Sequence, residues 1–189
     1  MNKMQNYPEF VFFNTGIDSS VSKSIFDFVN DNVEIVEAKC SSNTVDKSIR
    51  NCLVGYIPRS HWINGILDYY IRAANNDVFN FDIKNWYDDL NFLFYDGKGS
   101  GYKWHSDIDA PANDVGIRKL SIVLCLSNKE DYEGGEFQIL LDGRKEMETL
   151  KFDMGDCIIF PSTAIHRVRP LKSGERTVIS GWYGGPQFR

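Results

Sequence analysis

The sequence predicts a mainly β fold of the α+β kind, a double-sheet jelly roll with helices packed on the outside of one sheet. Three features of the 189-residue chain point to it. From Asp88 onward, apolar residues recur with period two or in short runs broken by Gly, Asp and Asn. That stretch yields eight strand-like segments, the number a jelly roll needs. Helical periodicity, by contrast, is confined to two segments before residue 88.

Taken in order, Glu9–Phe13 is a short β-prone run closed by the turn signal Asn14-Thr15-Gly16. A helix comes next, capped by Asp18, Ser19 or Ser20, with Val21, Ile25, Phe28 and Val29 on one face and an end near Asn30–Asn32. Val33–Ala38 and Ile49–Ile57 read as strands around the polar loop Ser41–Ser48. Arg50 opens the second of these. It is a candidate to reach a substrate at the mouth of a site, but an exposed charge beside a strand is the simpler expectation. Ser60 is expected to cap a second helix whose stripe of Trp62, Ile63, Ile66, Leu67, Tyr70, Ile71 and Ala74 packs into the core until Asn75-Asn76 stops it. The eight later strands are Leu90–Tyr95, Gly101–Ser106, Arg118–Leu126, Gly135–Leu140, Glu148–Phe152, Cys157–Phe160, Ala164–Arg169 and Arg176–Tyr183.

The length suits one domain, residues 1–87 supporting a core at 88–184. A net charge of −5 argues against a nucleic-acid backbone as the main partner, because such binding needs a basic face. Cys40, Cys52, Cys125 and Cys157 form no C-x-x-C pair and no zinc-type spacing, so they are expected as free thiols in a reducing compartment. Met1–Asn14 lacks a charged-then-apolar leader pattern and no apolar run is long enough to span a bilayer, so the expected location is cytoplasmic, away from membranes.

The chemistry is expected around His105 and Asp107, which only Ser106 separates. On a strand an H-x-D pair sends an imidazole and a carboxylate to the same side. His166, on a later strand, would complete a 2-His-1-carboxylate set of the kind that holds Fe(II) with open positions. H-x-D alone is common, and the order of the downstream residues strengthens it: the turn Gly155-Asp156, the apolar strand Cys157–Phe160, His166, then Arg176 at the head of a last apolar strand. A 2-oxo acid can chelate such a metal through its keto oxygen and carboxylate, leaving its far carboxylate in need of a cation. Arg176 is the candidate, since guanidinium grips carboxylate through two parallel hydrogen bonds. Val178, Ser180 and Trp182 share its face; Ser180 is placed to add a hydrogen bond and Trp182 to close the pocket wall. His61, with no metal-binding residue at ligand spacing, stays outside the site.

These segments, with Tyr95-Asp96-Gly97, Tyr102–Asp107, Asp131–Phe137, Gly155–Ser162 and Gly174-Glu175-Arg176, resemble the prolyl 4-hydroxylase-like branch of the 2-oxoglutarate and Fe(II)-dependent dioxygenases. The resemblance covers about residues 88–184. It implies a double-stranded β-helix, iron on His105, Asp107 and His166, and the 2-oxoglutarate C5 carboxylate on Arg176. Tyr95 matches a tyrosine that hydrogen-bonds this cosubstrate, and Arg118 a position that faces substrate in some relatives, although an exposed charge is the safer reading of Arg118. Cys125 departs from the pattern, standing where some relatives carry a tyrosine that supports the C5 carboxylate; Ser121 and Ser180 are the candidate replacements.

The implied activity is hydroxylation of an unactivated C–H bond, consuming O2 and 2-oxoglutarate and releasing succinate and CO2, with ascorbate as accessory reductant. Peptidyl-proline is the substrate the resemblance points to; other peptides, proteins or small metabolites remain open. Substrate choice is expected to lie in the loops Ser41–Ser48, Asp107–Gly116 and Asp142–Glu146. Two other readings compete: a cupin-like metal oxygenase or isomerase without 2-oxoglutarate, which Arg176 argues against, and a non-catalytic jelly-roll binding module, which would show a fourth protein ligand on its metal.

Overall fold

The last third of the chain supplies the spine of the molecule, a strand from Leu171 to Gly185 that is paired with other strands along nearly its whole length. The structure, a computed structural model, describes residues 4–7, 9–40, 43–108, 116–141 and 146–188. In chain order the elements are β1 (Met4–Tyr7), β2 (Phe10–Asn14), α1 (Ser19–Asn32), β3 (Val36–Glu37), β4 (Arg50–Asn51), β5 (Leu53–Ile57), α2 (Ile63–Ala74) and a π-helical turn, Asn75–Phe79. Then come β6 (Asn85–Trp86), β7 (Leu90–Asp96), β8 (Gly101–His105), β9 (Ile117–Cys125), β10 (Tyr132–Gly134), β11 (Phe137–Leu141), β12 (Glu146–Leu150), β13 (Asp156–Pro161), β14 (His166–Val168) and β15 (Leu171–Gly185).

Two antiparallel sheets face each other. The larger runs β1-β2-β13-β9-β15-β7-β5-β3, with β6 and β10 also on β15; the smaller runs β12-β11-β14-β8-β4. This is the double-stranded β-helix expected from the sequence. Two buried layers result. Between the helices and the larger sheet lie Ile25, Val29, Leu67 and Ile71 against Leu120, Leu124, Ile159 and Ile179. Inside the roll lie Tyr95, Phe137, Phe152, Phe160 and Val178. Because β13 is covered on both faces, Cys157, Ile158, Ile159 and Phe160 are all buried, which explains a continuous apolar run where an exposed strand would alternate.

Asp18 caps α1, accepting from the backbone N–H groups of Ser20 and Val21. Four expectations need correction. The cap of α2 is Trp62 and not Ser60, and no side chain bonds there; instead the chain turns in through His61 N–H to Pro58 O, 2.9 Å, and Asn64 Nδ2 to the same oxygen, 3.0 Å. The helix does not stop at Asn75-Asn76. Asn75 is buried and its side chain both accepts from Phe81 N and donates to Phe81 O, which carries the chain through the π-helical turn to Asn80 at φ +54°. The strand expected over Val33–Ala38 shrinks to Val36–Glu37 at the sheet edge. The strand expected over Ile49–Ile57 breaks at Cys52: β4 pairs with β8 in the smaller sheet and β5 with β7 in the larger, a corner that joins the two. β1, β6 and β10 carry too little sequence pattern to be anticipated.

Candidate active site

His105 and His166 both come from the smaller sheet. β8 and β14 run antiparallel with His166 directly opposite His105, so the rings emerge on one face, their centroids 4.2 Å apart. Each Nδ1 faces a carbonyl, that of Lys103 at 2.8 Å for His105 and that of Ala164 at 3.1 Å for His166. Carbonyls only accept, so both Nδ1 atoms carry the proton and both Nε2 lone pairs are free to ligate. Each Nε2 lies 3.6 Å from an oxygen of Asp107. Among the described residues these three form the group able to hold a metal ion, their ligand atoms within 4.8 Å of one another.

Asp107 is not on the strand. β8 ends at His105, and the carboxylate is brought round by its own N–H donating to Ser162 O at 2.9 Å. Ser121 Oγ donates to Asp107 Oδ2 at 2.8 Å and lies 3.0 Å from Ser162 Oγ. Burial would raise the Asp107 carboxyl; His166 and His105 beside it, with hydrogen bonds from Trp182 and Ser121, outweigh that and hold it below the ordinary carboxylate value. Burial and then His166 push His105 down to about 4. At neutral pH Asp107 is a carboxylate and His105 a neutral imidazole, the protonation state a divalent metal requires of them.

Deeper in the roll lies Arg176, directly opposite Tyr95 in the β15–β7 register. It is 1% exposed, and none of its guanidinium nitrogens has a hydrogen-bond partner, although the Tyr132 hydroxyl is near enough for Arg176 to oppose the burial that pushes that hydroxyl up to about 12. Tyr95 and Phe152 present ring faces 5.4 and 5.6 Å away. A buried guanidinium without a counter-ion costs several kcal/mol, on the order expected for a group waiting for an anion. Arg176 and the three candidate metal ligands line one cavity of about 490 Å³.

Tyr95, Ser180, Trp182 and Arg118 line the same cavity. Arg118 is no exposed charge: its side chain is 17% exposed, 2.7 Å from Asp88, with its guanidinium 3.9 Å over the Trp182 ring. Ser121 is a correction. It bonds Asp107 and Ser162 at the metal end, opposite Trp182 in the β9–β15 register, whereas the position nearest Arg176 on that strand belongs to Cys125, opposite Val178. Ser121 therefore supports the Asp107 carboxylate and is not part of the cavity lining around Arg176. The sequence alone assigns no role to Tyr102, which stacks on His105 at 3.6 Å, or to Tyr132, which lies near Arg176. Tyr102 sits three residues before His105, a spacing that could have flagged it; Tyr132 reaches its place only through the β10–β15 pairing. Of the three loops expected to select substrate, residues 43–48 of the first are largely exposed; residues 41–42, 109–115 and 142–145 lie outside the described residues.

Fold and site together define a jelly-roll protein that presents a two-histidine, one-carboxylate centre beside a buried arginine. The family model described as the 2OG-Fe(II) oxygenase superfamily matches residues 90–184, just over half of the chain. The chain belongs to the 2OG-Fe(II) oxygenase superfamily. Among curated relatives it is 45% identical over 85 residues to a PKHD-type hydroxylase of Synechococcus sp. (strain CC9902), and 44% identical over 85 residues to one of Colwellia psychrerythraea (strain 34H / ATCC BAA-681). Those matches take in 44% of this chain and only 36% and 37% of the relatives, so the chain spans little more than a third of their length. In fold it resembles a Trichoplax adhaerens prolyl hydroxylase in complex with a hypoxia inducible factor peptide (TM-score 0.75, 19% identity, 95% of this chain and 84% of that one). It likewise resembles a Pseudomonas putida prolyl-4-hydroxylase (TM-score 0.68, 18% identity, 95% and 94%).

Proposed function

We propose that the chain is an Fe(II)- and 2-oxoglutarate-dependent dioxygenase that hydroxylates an unactivated C–H bond. The observation that carries the proposal is Arg176: a buried guanidinium without a hydrogen-bond partner, in the same cavity as His105, Asp107 and His166, fits the far carboxylate of a 2-oxo diacid. A cupin-like enzyme without that cosubstrate has no use for it. The donor set fits ferrous iron, with two imidazoles and one carboxylate leaving positions for exchangeable ligands.

Bound Fe(II) and 2-oxoglutarate supply the oxidising power, consuming O2 to hydroxylate substrate and releasing succinate and CO2. The protein positions and excludes. His105 and His166 hold their Nε2 atoms forward because Lys103 and Ala164 carbonyls occupy the Nδ1 protons. Ser121 and Trp182 orient the Asp107 carboxylate. Arg176 pairs with the C5 carboxylate, Tyr95 and Ser180 line the cosubstrate chamber, and Phe137 and Val178 add apolar surface to it. Trp182, with Arg118 across its face, forms the wall toward the substrate.

The substrate proposed is a prolyl residue in a peptide, supported by structural neighbours named as prolyl hydroxylases. Ascorbate is proposed to keep the iron ferrous, and the four free cysteines fit a reducing cytoplasm. The test is succinate release from chain, Fe(II), 2-oxoglutarate and proline-rich peptides, with and without ascorbate, alongside iron content of His166→Ala. Peptide-stimulated succinate and loss of iron in the variant are expected. Failure of 2-oxoglutarate to bind at all, or full iron retention in His166→Ala, would sink the proposal.

A further inference from the structure

The mouth of the cavity is asymmetric in charge. On one side Asp88 is paired with Arg118 at 2.7 Å and Asp89 with Arg59 at 3.7 Å, so acids and arginines cancel. On the other side β4, the last strand of the smaller sheet, brings Arg50 opposite Tyr102 in register. Arg50 is half-buried and lines the cavity, against the simple expectation of an exposed charge. Its Nη1 donates to Lys39 O at 2.9 Å, and its guanidinium carbon sits 4.9 Å over the Tyr102 ring. Its Nε is buried with no hydrogen-bond partner, and among the described residues no carboxylate pairs with it. The Cys52 thiol beside it is pushed up by burial and stays neutral, so it supplies no counter-charge. Lys39, exposed on the same wall, adds a second cation.

Tyr102 is itself stacked on His105 at 3.6 Å, so Arg50 is one aromatic ring away from a metal-binding imidazole. Arg50 is thus a second buried-edge cation of the cavity, distinct from Arg176 and without a carboxylate partner among the described residues. Arg176 is fully buried beside Tyr95 and Phe152, whereas Arg50, whose charge also reaches the Tyr95 hydroxyl, is half-buried on the cavity lining with Lys39 and Cys40. Its neighbours explain why the charge is tolerated without a partner acid: a carbonyl and an aromatic face stabilise a cation in part. They leave it able to accept an anion that comes and goes.

We propose that Arg50 is the specificity-determining residue at the cavity mouth and that the substrate carries a carboxylate close to the carbon that is hydroxylated. This rests on the oxygenase reading of the site and adds to it the chemical class of the substrate. The carboxylate has two sources, the C-terminal group of a free amino acid or short peptide, or an acidic side chain beside the target residue.

The test uses binding, so that it stands apart from turnover. The whole chain, loaded anaerobically with Fe(II) and 2-oxoglutarate, is titrated with two probe pairs: Ala-Pro against its C-terminal amide, and acetyl-Pro-Glu-amide against acetyl-Pro-Gln-amide. One acid is expected to bind about tenfold or more tighter than its neutral partner, and which pair discriminates identifies the source. Arg50→Gln is expected to abolish that preference while the amide probe binds as before, and Arg50→Lys to restore part of it; the amide probe reports that the variant is folded. Equal binding of acid and neutral probes in both pairs, binding of no probe, or a preference that survives Arg50→Gln would overturn the proposal. Clear discrimination without succinate release would instead count against the oxygenase reading alone.

Discussion

Arg176 and His105 both line the cavity, and each can be tested singly. None of the Arg176 guanidinium nitrogens has a hydrogen-bond partner in the protein, so its replacement removes the contact to an incoming anion without breaking a hydrogen bond of the fold. Arg176→Ala is expected to weaken 2-oxoglutarate by at least about tenfold, given roughly 1.5–3 kcal/mol for such a bond, as measured by anaerobic titration of the iron–keto-acid absorption band. Unchanged affinity would return the site to the cupin reading. His105 governs acid sensitivity. Its folded-state value is about 4 against an ordinary 6.5, so below 6.5 the unfolded chain takes up a proton that the folded chain refuses until near 4. The contribution of this group to stability is fully present above 6.5 and drains away as pH falls toward 4. The metal-free chain should therefore lose urea resistance between pH 6.5 and 4, and His105→Gln should show a shallower loss over that range. An unaltered slope in the variant would place the acid sensitivity elsewhere.

At the scale of elements, the placement of Arg176 depends on a turn that only glycine can make. Gly134 and Gly135 have φ of +79° and +66°, and a Cβ on Gly134 would lie 2.6 Å from Pro170 O, 3.0 Å from Lys172 N. β10 thus lies tight on the start of β15, a short way upstream of Arg176. Gly134→Ala should destabilise the fold by about 2 kcal/mol or more, combining left-handed strain with a backbone collision, and urea denaturation measures it. Replacement without cost would mean that β10 shifts freely and does not set β15. The same scale holds the split of the expected strand at Cys52. A period-two pattern names a strand but carries no information about which of two sheets receives each half, and β4 and β5 go to different ones.

Across the whole molecule the two buried layers divide the labour. Leu67 of α2 is fully buried in the layer between helices and larger sheet, with no part in the cavity lining. Leu67→Ala should cost about 2–5 kcal/mol of stability while iron and 2-oxoglutarate affinities of the folded protein stay at their original values. A loss of iron affinity parallel to the loss of stability would show that the layers are not separable. Stiffness of the larger sheet is what keeps β7, β9 and β15 in register, and that register sets Arg176 against Tyr95 and Trp182 against Ser121.

Much of this was legible in the residue string. Period-two runs and two amphipathic stretches specified a jelly roll with helices on one face, because burial on one side of a regular element imprints its period on the sequence. That His105, Asp107, His166 and Arg176 line one cavity could be anticipated, because a site for a metal and a carboxylate restricts residue type and order along the chain. Partnerships across strands left no such imprint. That Ser121 serves Asp107, that Asp107 leaves its strand to reach Ser162, and that Arg50 turns inward over Tyr102 are all consequences of register and of where β8 ends. A serine or an arginine has the same local pattern whether it faces a ligand or water, so the fold alone settled which neighbour each one meets.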